Sequence, residues 1–182
     1  NYIMKKIKSV SHLLFLLFKT LAYGLPLVTT YFILFHFESM LNWGGWHSLL
    51  STPVKDPSHF SLLHRFIILL IEALPLSINV LICHQLAKLF RLYEHGYLFE
   101  EENIRLIKNI SIYLISGELI QLLYQPLITA ALTFTNPSGQ RIASITLGTA
   151  NLSTLITAFI ILIASWIIKE AHKLKTDALL TI

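Results

Sequence analysis

The chain has 182 residues, of which 54% are hydrophobic and 13% charged; 14 Lys and Arg stand against 10 Asp and Glu, for a formal charge of +4. Soluble domains average about a quarter charged and just under half apolar. A single water-soluble core is therefore excluded for a chain of this size, and lipid is the solvent its apolar surface requires.

Lys5, Lys6 and Lys8 open the sequence, and the first predicted helix follows over about residues 9–37. It looks at first like a secretory leader. An h-region runs to about 7–15 residues and ends at a small-residue cleavage site. This stretch is longer, contains Lys19 and lacks such a site, so it is expected to be a retained span. A polar loop, Glu38 to Ser58, follows; its Trp43 and Trp46 suit a membrane–water interface. The second helix is predicted over about 60–92 and contains the lone cysteine, Cys83, which has no intrachain partner for a disulfide. Tyr93-Glu94-His95-Gly96 ends it, with Gly96 placed for a left-handed C-cap. Glu100, Glu101 and Glu102 open the third helix, about 102–134, where carboxylates favour the positive end of the dipole. A Pro/Gly turn at Thr135–Gln140 leads to the fourth helix, about 147–175.

Uncharged runs cover residues 20–37, 119–140 and 142–168, which are 18, 22 and 27 residues long. A helix needs roughly 20 mostly apolar residues to cross the hydrocarbon, and the patterning is continuous, which favours helices over a barrel. The expected fold is all-α: one domain, an integral membrane four-helix bundle with up-down topology. Ten Lys and Arg flank the N-terminus, the middle loop and the C-terminus, against Lys55, Arg65 and Arg141 on the other side. By the positive-inside rule both termini are expected in the cytoplasm.

Lys19, Glu72 and Glu118 fall within apolar runs. Counted from the predicted helix ends at about 1.5 Å per residue, Lys19 and Glu118 share a depth, which points to an intramembrane charge pair facing the interior. Glu118, Gln121 and Gln125 recur at i, i+3 and i+7 and share one helix face. With Glu72 and the prolines Pro26, Pro75 and Pro126, that face points to a polar, widened outer half. Two readings stand: a ligand site, or polar groups that join helices and satisfy carbonyls freed by proline.

Histidines raise two further possibilities. His12 and His84 near one face, with His36 and His64 near the other, sit on the first two helices as haem-binding pairs can. His36, His47, His59 and His64 offer a weak candidate metal site outside the membrane, but their spacing matches no ligand signature. No cofactor is expected. Phosphate loops, metalloprotease motifs and nucleophile elbows are missing from the sequence, and the basic residues read as topology signals with no direct nucleic-acid role.

The segment from Leu89 to Leu106 carries Gly96, then Phe99 and Asn103 spaced as Phe-x-x-x-Asn, and the chain ends in Leu180-Thr181-Ile182. In these segments it resembles the bacterial four-span membrane family catalogued as "domain of unknown function 2975". It departs in having Thr176-Asp177-Ala178 where members carry acidic or amide residues. The resemblance implies a bacterial inner-membrane protein without assigned activity, often encoded beside a small helix-turn-helix regulator. Gly96, Phe99, Asn103, Leu180, Thr181 and Ile182 would then be partner-docking residues, or would simply fix the loop and tail. The leading expectation is a non-enzymatic, partner-binding or ligand-sensing module. The alternative is a small transporter, channel or carrier, necessarily a homo-oligomer, using Lys19, Glu72, Glu118 and Gln125.

Overall fold

Side-chain hydroxyls and amides on one helix organise the last third of this protein, which a computed structural model describes over residues 1–181; Ile182 lies outside the described residues. Five helices run in chain order: α1 (Tyr2–Phe35), α2 (Phe37–Trp43), α3 (Leu62–Glu94), α4 (Glu101–Thr133) and α5 (Thr149–Leu180), with short 3-10 turns at Gly45–Ser48 and Pro57–His59. The structure is all-α among the described residues. Four helices, all but α2, are long and apolar enough to cross a membrane.

The long helices pack in chain order: α1 on α3, α3 on α4, α4 on α5. α4 is the most deeply packed, and α5 buries only Ala158 and Ser165 fully. These two residues stand seven apart on one stripe, which lets the backbone of α5 approach α4 closely. Gly117 serves the same end between α4 and α3, where a Cβ would meet Ile78 at 3.2 Å. Large apolar side chains face outward on every span: Leu27, Leu70, Leu119 and Ile160 are 61–71% exposed. Such a surface is stable only against acyl chains.

Two apolar clusters hold the ends. At the loop end, Ile33, Phe37, Leu41, Trp46, Phe60 and Ile68 pack with Tyr124, Ile128 and Leu132. At the termini end, Leu89 packs with Leu106 and Ile110. The first cluster explains α2. Its Phe37 and Leu41 point inward, so the polar loop folds back as a cap once α1 breaks at His36. Trp43 is 90% exposed, but Trp46 is 2% exposed and belongs to the interior.

α1 begins seven residues before the predicted start, and α5 ends five after the predicted stop. Nothing in either sequence breaks the helix, since Lys, Leu and Ala are all good helix formers. Lys169 lines a groove with Glu101 and Arg105 at the first turn of α4. Residues 170–180 of α5 therefore project past the start of α4 by about 16 Å, and all of them but His172 are exposed.

Candidate functional site: a polar cavity at the loop end

Between Thr133 and Thr149 the chain turns back along α4 in extended form. Thr133 Oγ1 accepts from Ile142 N at 3.0 Å, Thr129 Oγ1 from Ser144 N at 3.1 Å, and Gln125 Oε1 from Thr146 N at 2.6 Å. Four helical residues rise about 6 Å and two extended residues about 6.6 Å, so the side chains at 125, 129 and 133 match alternate amides at 146, 144 and 142. Backbone in lipid must be satisfied within the protein, and this ladder satisfies a non-helical segment. Each threonine also donates to the carbonyl four residues earlier, Gln125 O at 2.7 Å and Thr129 O at 2.8 Å. Asn136, fully buried, joins the two loops. Its Oδ1 accepts from Lys55 N at 3.0 Å, and its Nδ2 donates to Pro53 O at 3.1 Å and Gln140 O at 3.0 Å.

This arrangement starts α5 below the end of α4 and opens a cavity of about 500 Å³ lined by residues including Trp46, Glu72, Gln121, Tyr124, Gln125 and Asn151. The Tyr124 hydroxyl donates to Glu72 Oε2. The Trp46 indole N–H lies 3.3 Å from the same oxygen and 3.2 Å from the Tyr124 hydroxyl, which it shares as acceptors. One carboxylate oxygen is thus held by two aromatic donors. A second cavity, about 290 Å³, adjoins the first through Pro75, Gln121 and Asn151 and contains Glu118. Asn151 orients Glu118: its Nδ2 donates to Glu118 Oε2 at 2.9 Å, while its Oδ1 accepts from Gly148 N at the start of α5 at 2.9 Å. No basic side chain lines either cavity among the described residues. Chemically, the site offers two carboxylates, four side-chain amides (Asn79, Gln121, Gln125 and Asn151) and an aromatic wall to a small polar guest.

The structure brings Glu72, Gln121 and Gln125 together, as the sequence suggested, and separates Lys19 from them. The expected Lys19–Glu118 pair does not form. α1 packs on α3 rather than α4, Glu118 bonds Asn151, and Lys19 is exposed beside the Phe15 ring, 5.5 Å from its centroid. The three ion pairs among the described residues all lie at the termini end: His12–Glu94 at 2.7 Å, Arg91–Glu94 at 3.2 Å and Arg105–Glu102 at 2.6 Å. Gln125 faces the cavity, but its carbonyl oxygen is committed to Thr146. Trp46, Tyr124 and Asn151 were not anticipated. A Glu-bearing helix facing a second helix with Tyr and Gln one residue apart was the available signal.

The histidines do not converge. His36 Nε2 shares a hydrogen bond with the Tyr31 hydroxyl at 2.9 Å, and His59 Nδ1 lies 3.4 Å from the Ser58 hydroxyl. His64 stacks on Phe60 with centroids 4.1 Å apart and donates from Nε2 to Ala131 O at 2.6 Å, a carbonyl in the last turn of α4. His47 sits on the exposed loop, lining a cavity with Pro53 and Pro57. Among the described residues no three His, Cys, Asp or Glu gather as a metal site would require. His12 bonds Glu94 while His84 faces a different groove, so these two make no axial pair.

At the middle loop Gly96 has φ +88°. Gly96 N donates to Tyr93 O and Tyr97 N to Leu92 O, both at 3.0 Å, which is the Schellman closure expected of a glycine there. Asn103, 1% exposed, accepts at Oδ1 from Glu100 N at 3.0 Å and donates to Tyr97 O at 2.9 Å. These two residues fix the loop. Phe99, by contrast, is 75% exposed, and Leu180 and Thr181 are exposed at the tip of α5.

No curated protein and no solved structure matches the chain. A match over residues 15–182 to the family described as "Protein of unknown function (DUF2975)" places this four-span membrane chain in that family.

Proposed function

We propose that the chain is a non-enzymatic bacterial inner-membrane module that holds a small cationic or donor-rich ligand in its loop-end cavity and presents its termini end, in the cytoplasm, to a protein partner. The observation that carries the reading is the pair of adjoining cavities with Glu72 and Glu118 on their walls and no basic residue to neutralise them. An intramembrane carboxylate is costly unless it has partners. Glu72 has two donors and Glu118 one, which leaves acceptor capacity directed at a guest. The cytoplasmic assignment rests on the Lys and Arg excess at the termini end. Partner docking rests on the projecting turns of α5, where Leu174, Leu179 and Leu180 are 62–80% exposed, and on Phe99.

The rival reading, a small oligomeric transporter or channel, is weakened by what lies below Glu118. The polar path meets Leu114, Ile110, Leu106 and Leu89, which are apolar and packed. Flux through liposomes containing wild type, Glu72→Gln and Glu118→Gln decides between the two; carboxylate-dependent flux would favour the rival.

The direct test uses Trp46 as the reporter. In a Trp43→Phe, Trp166→Phe chain in nanodiscs, Trp46 emission is titrated with butylammonium and with butanol as its uncharged counterpart. A saturable change with the cation alone, lost in Glu72→Gln, is the expected result. Equal responses to both probes, or an unaffected Glu72→Gln, would sink the ligand reading. The partner arm is separate: a helix-turn-helix regulator should be retained by the full chain and lost when residues 170–182 are removed and Phe99 is changed to Ser.

A further inference from the structure

Lys19, displaced from its expected partner, belongs to another site. A groove of about 330 Å³ lies between α1, α3 and the start of α4. Its walls are apolar, from Phe15, Ala22, Ala87, Leu92 and Leu106. Its rim is cationic: Lys19, Lys88 and Arg91 all face it, with His84 beside them. Arg91 lies 4.8 Å and Lys19 5.5 Å from the centroid of the same Phe15 ring, so the aromatic ring gathers both charges at one level. One acid, Glu102, also lines the groove, and its carboxylate is engaged by Arg105; Glu94 accepts from Arg91 and His12. Lys19 and Lys88 form no ion pair among the described residues.

Depth identifies the occupant. Beyond Lys19, α1 carries no further charge up to its end at Phe35, and those 16 residues span about 24 Å as helix, most of the roughly 30 Å hydrocarbon thickness. Lys19 therefore stands at the edge of the hydrocarbon and not within it. On α3, Lys88 lies at the matching edge, with Ala87 on the groove wall beside it. A leaflet places phosphate groups at that level and acyl chains immediately beyond it, along Ala22 and Tyr23.

We infer that this groove is a site for one anionic phospholipid, its phosphate held by Lys19, Lys88 and Arg91 and the first part of an acyl chain lying on Ala22, Ala87 and Leu106. It differs from the general attraction of basic residues to a charged leaflet, because three cations from two helices converge on one concave apolar surface. The site is independent of the loop-end cavity, and either can fail alone.

Native mass spectrometry from mixed micelles of phosphatidylglycerol and phosphatidylcholine tests it. The wild-type chain should retain one phosphatidylglycerol preferentially. Lys19→Gln with Lys88→Gln should weaken that retention on the order of tenfold or more, from the loss of two lysines at the phosphate level. Lys5→Gln with Lys6→Gln removes equal charge from the exposed start of α1 and should leave retention intact. Lys19→Arg with Lys88→Arg should also keep it, which separates loss of charge from loss of fold. Excess inorganic phosphate should not displace the lipid. Equal losses in the two glutamine pairs, retention unchanged in Lys19→Gln/Lys88→Gln, or displacement by inorganic phosphate would each overturn the assignment.

Discussion

Changing Thr129 to Val keeps the side-chain shape and deletes one hydroxyl from the ladder between α4 and the extended segment. Thr129 is fully buried, so valine meets the same neighbours and no cavity opens. What changes is the accounting of donors: Ser144 N–H loses its acceptor, and Gln125 O loses one donor. A buried donor left unpaired costs about 1–3 kcal/mol, whereas hydrogen bonds measured within membranes average nearer to about 0.6 kcal/mol. Ser144 is only half-buried, so water can partly replace the lost acceptor and the lower end applies, about 1 kcal/mol. That corresponds to roughly fivefold faster hydrogen exchange at the Ser144 amide. Ile142 and Thr146 keep their own acceptors and should change less. Exchange in nanodiscs, read by mass spectrometry on peptides covering 140–148, measures this. Unchanged protection of Ser144, or a uniform rise across all four spans, would refute the ladder as the local support of this segment.

Three further outcomes follow from the packing. Gly96→Ala forces an L residue to φ +88° at a cost of about 1–2 kcal/mol, and should lower Tm in detergent while leaving the loop-end cavity unaltered in Trp46 emission. Asn103→Ala removes both loop bonds, to Glu100 N and Tyr97 O; cleavage by a glutamyl protease after Glu100–Glu102 should accelerate several-fold, and an unchanged rate would show that the loop is held by other means. Ala158→Leu overpacks the fully buried contact of α5 with α4 by about 1–3 kcal/mol and should lower Tm, while Ala164→Leu on the exposed face should not.

The number and order of spans were legible because a membrane helix announces itself by composition. Uncharged runs of 18 to 27 residues have few other uses. The shared face of Glu118, Gln121 and Gln125 was also legible, since helical periodicity is local. Depth was not. Counting from the predicted helix start at about residue 9 puts Lys19 about ten residues into the span, whereas α1 is helical from Tyr2. The pairing with Glu118 failed for a second reason: the sequence does not state which helices touch, and α3 intervenes. In the sequence Trp46 reads as an interface anchor, because a WGGW stretch in a polar loop resembles one. Its burial depends on α2 folding back over Ile33 and Tyr124, a tertiary event without a local signature. The ladder did leave a trace, Gln-x-x-x-Thr-x-x-x-Thr followed by Ile-x-Ser-x-Thr, which is a helical period facing a strand period.

Because the ladder starts α5 part-way down α4, that helix has one end at the polar cavity and the other in open water. From Asn151 to Leu180 is about 43 Å of continuous helix, fixed near its start by the bond from Asn151 to Glu118 and unsupported over its final three turns. Such a rod is a lever arm. A pivot of about 5° at Asn151, no more than a side chain shifting to admit a guest, carries the tip sideways by about 4 Å at that length.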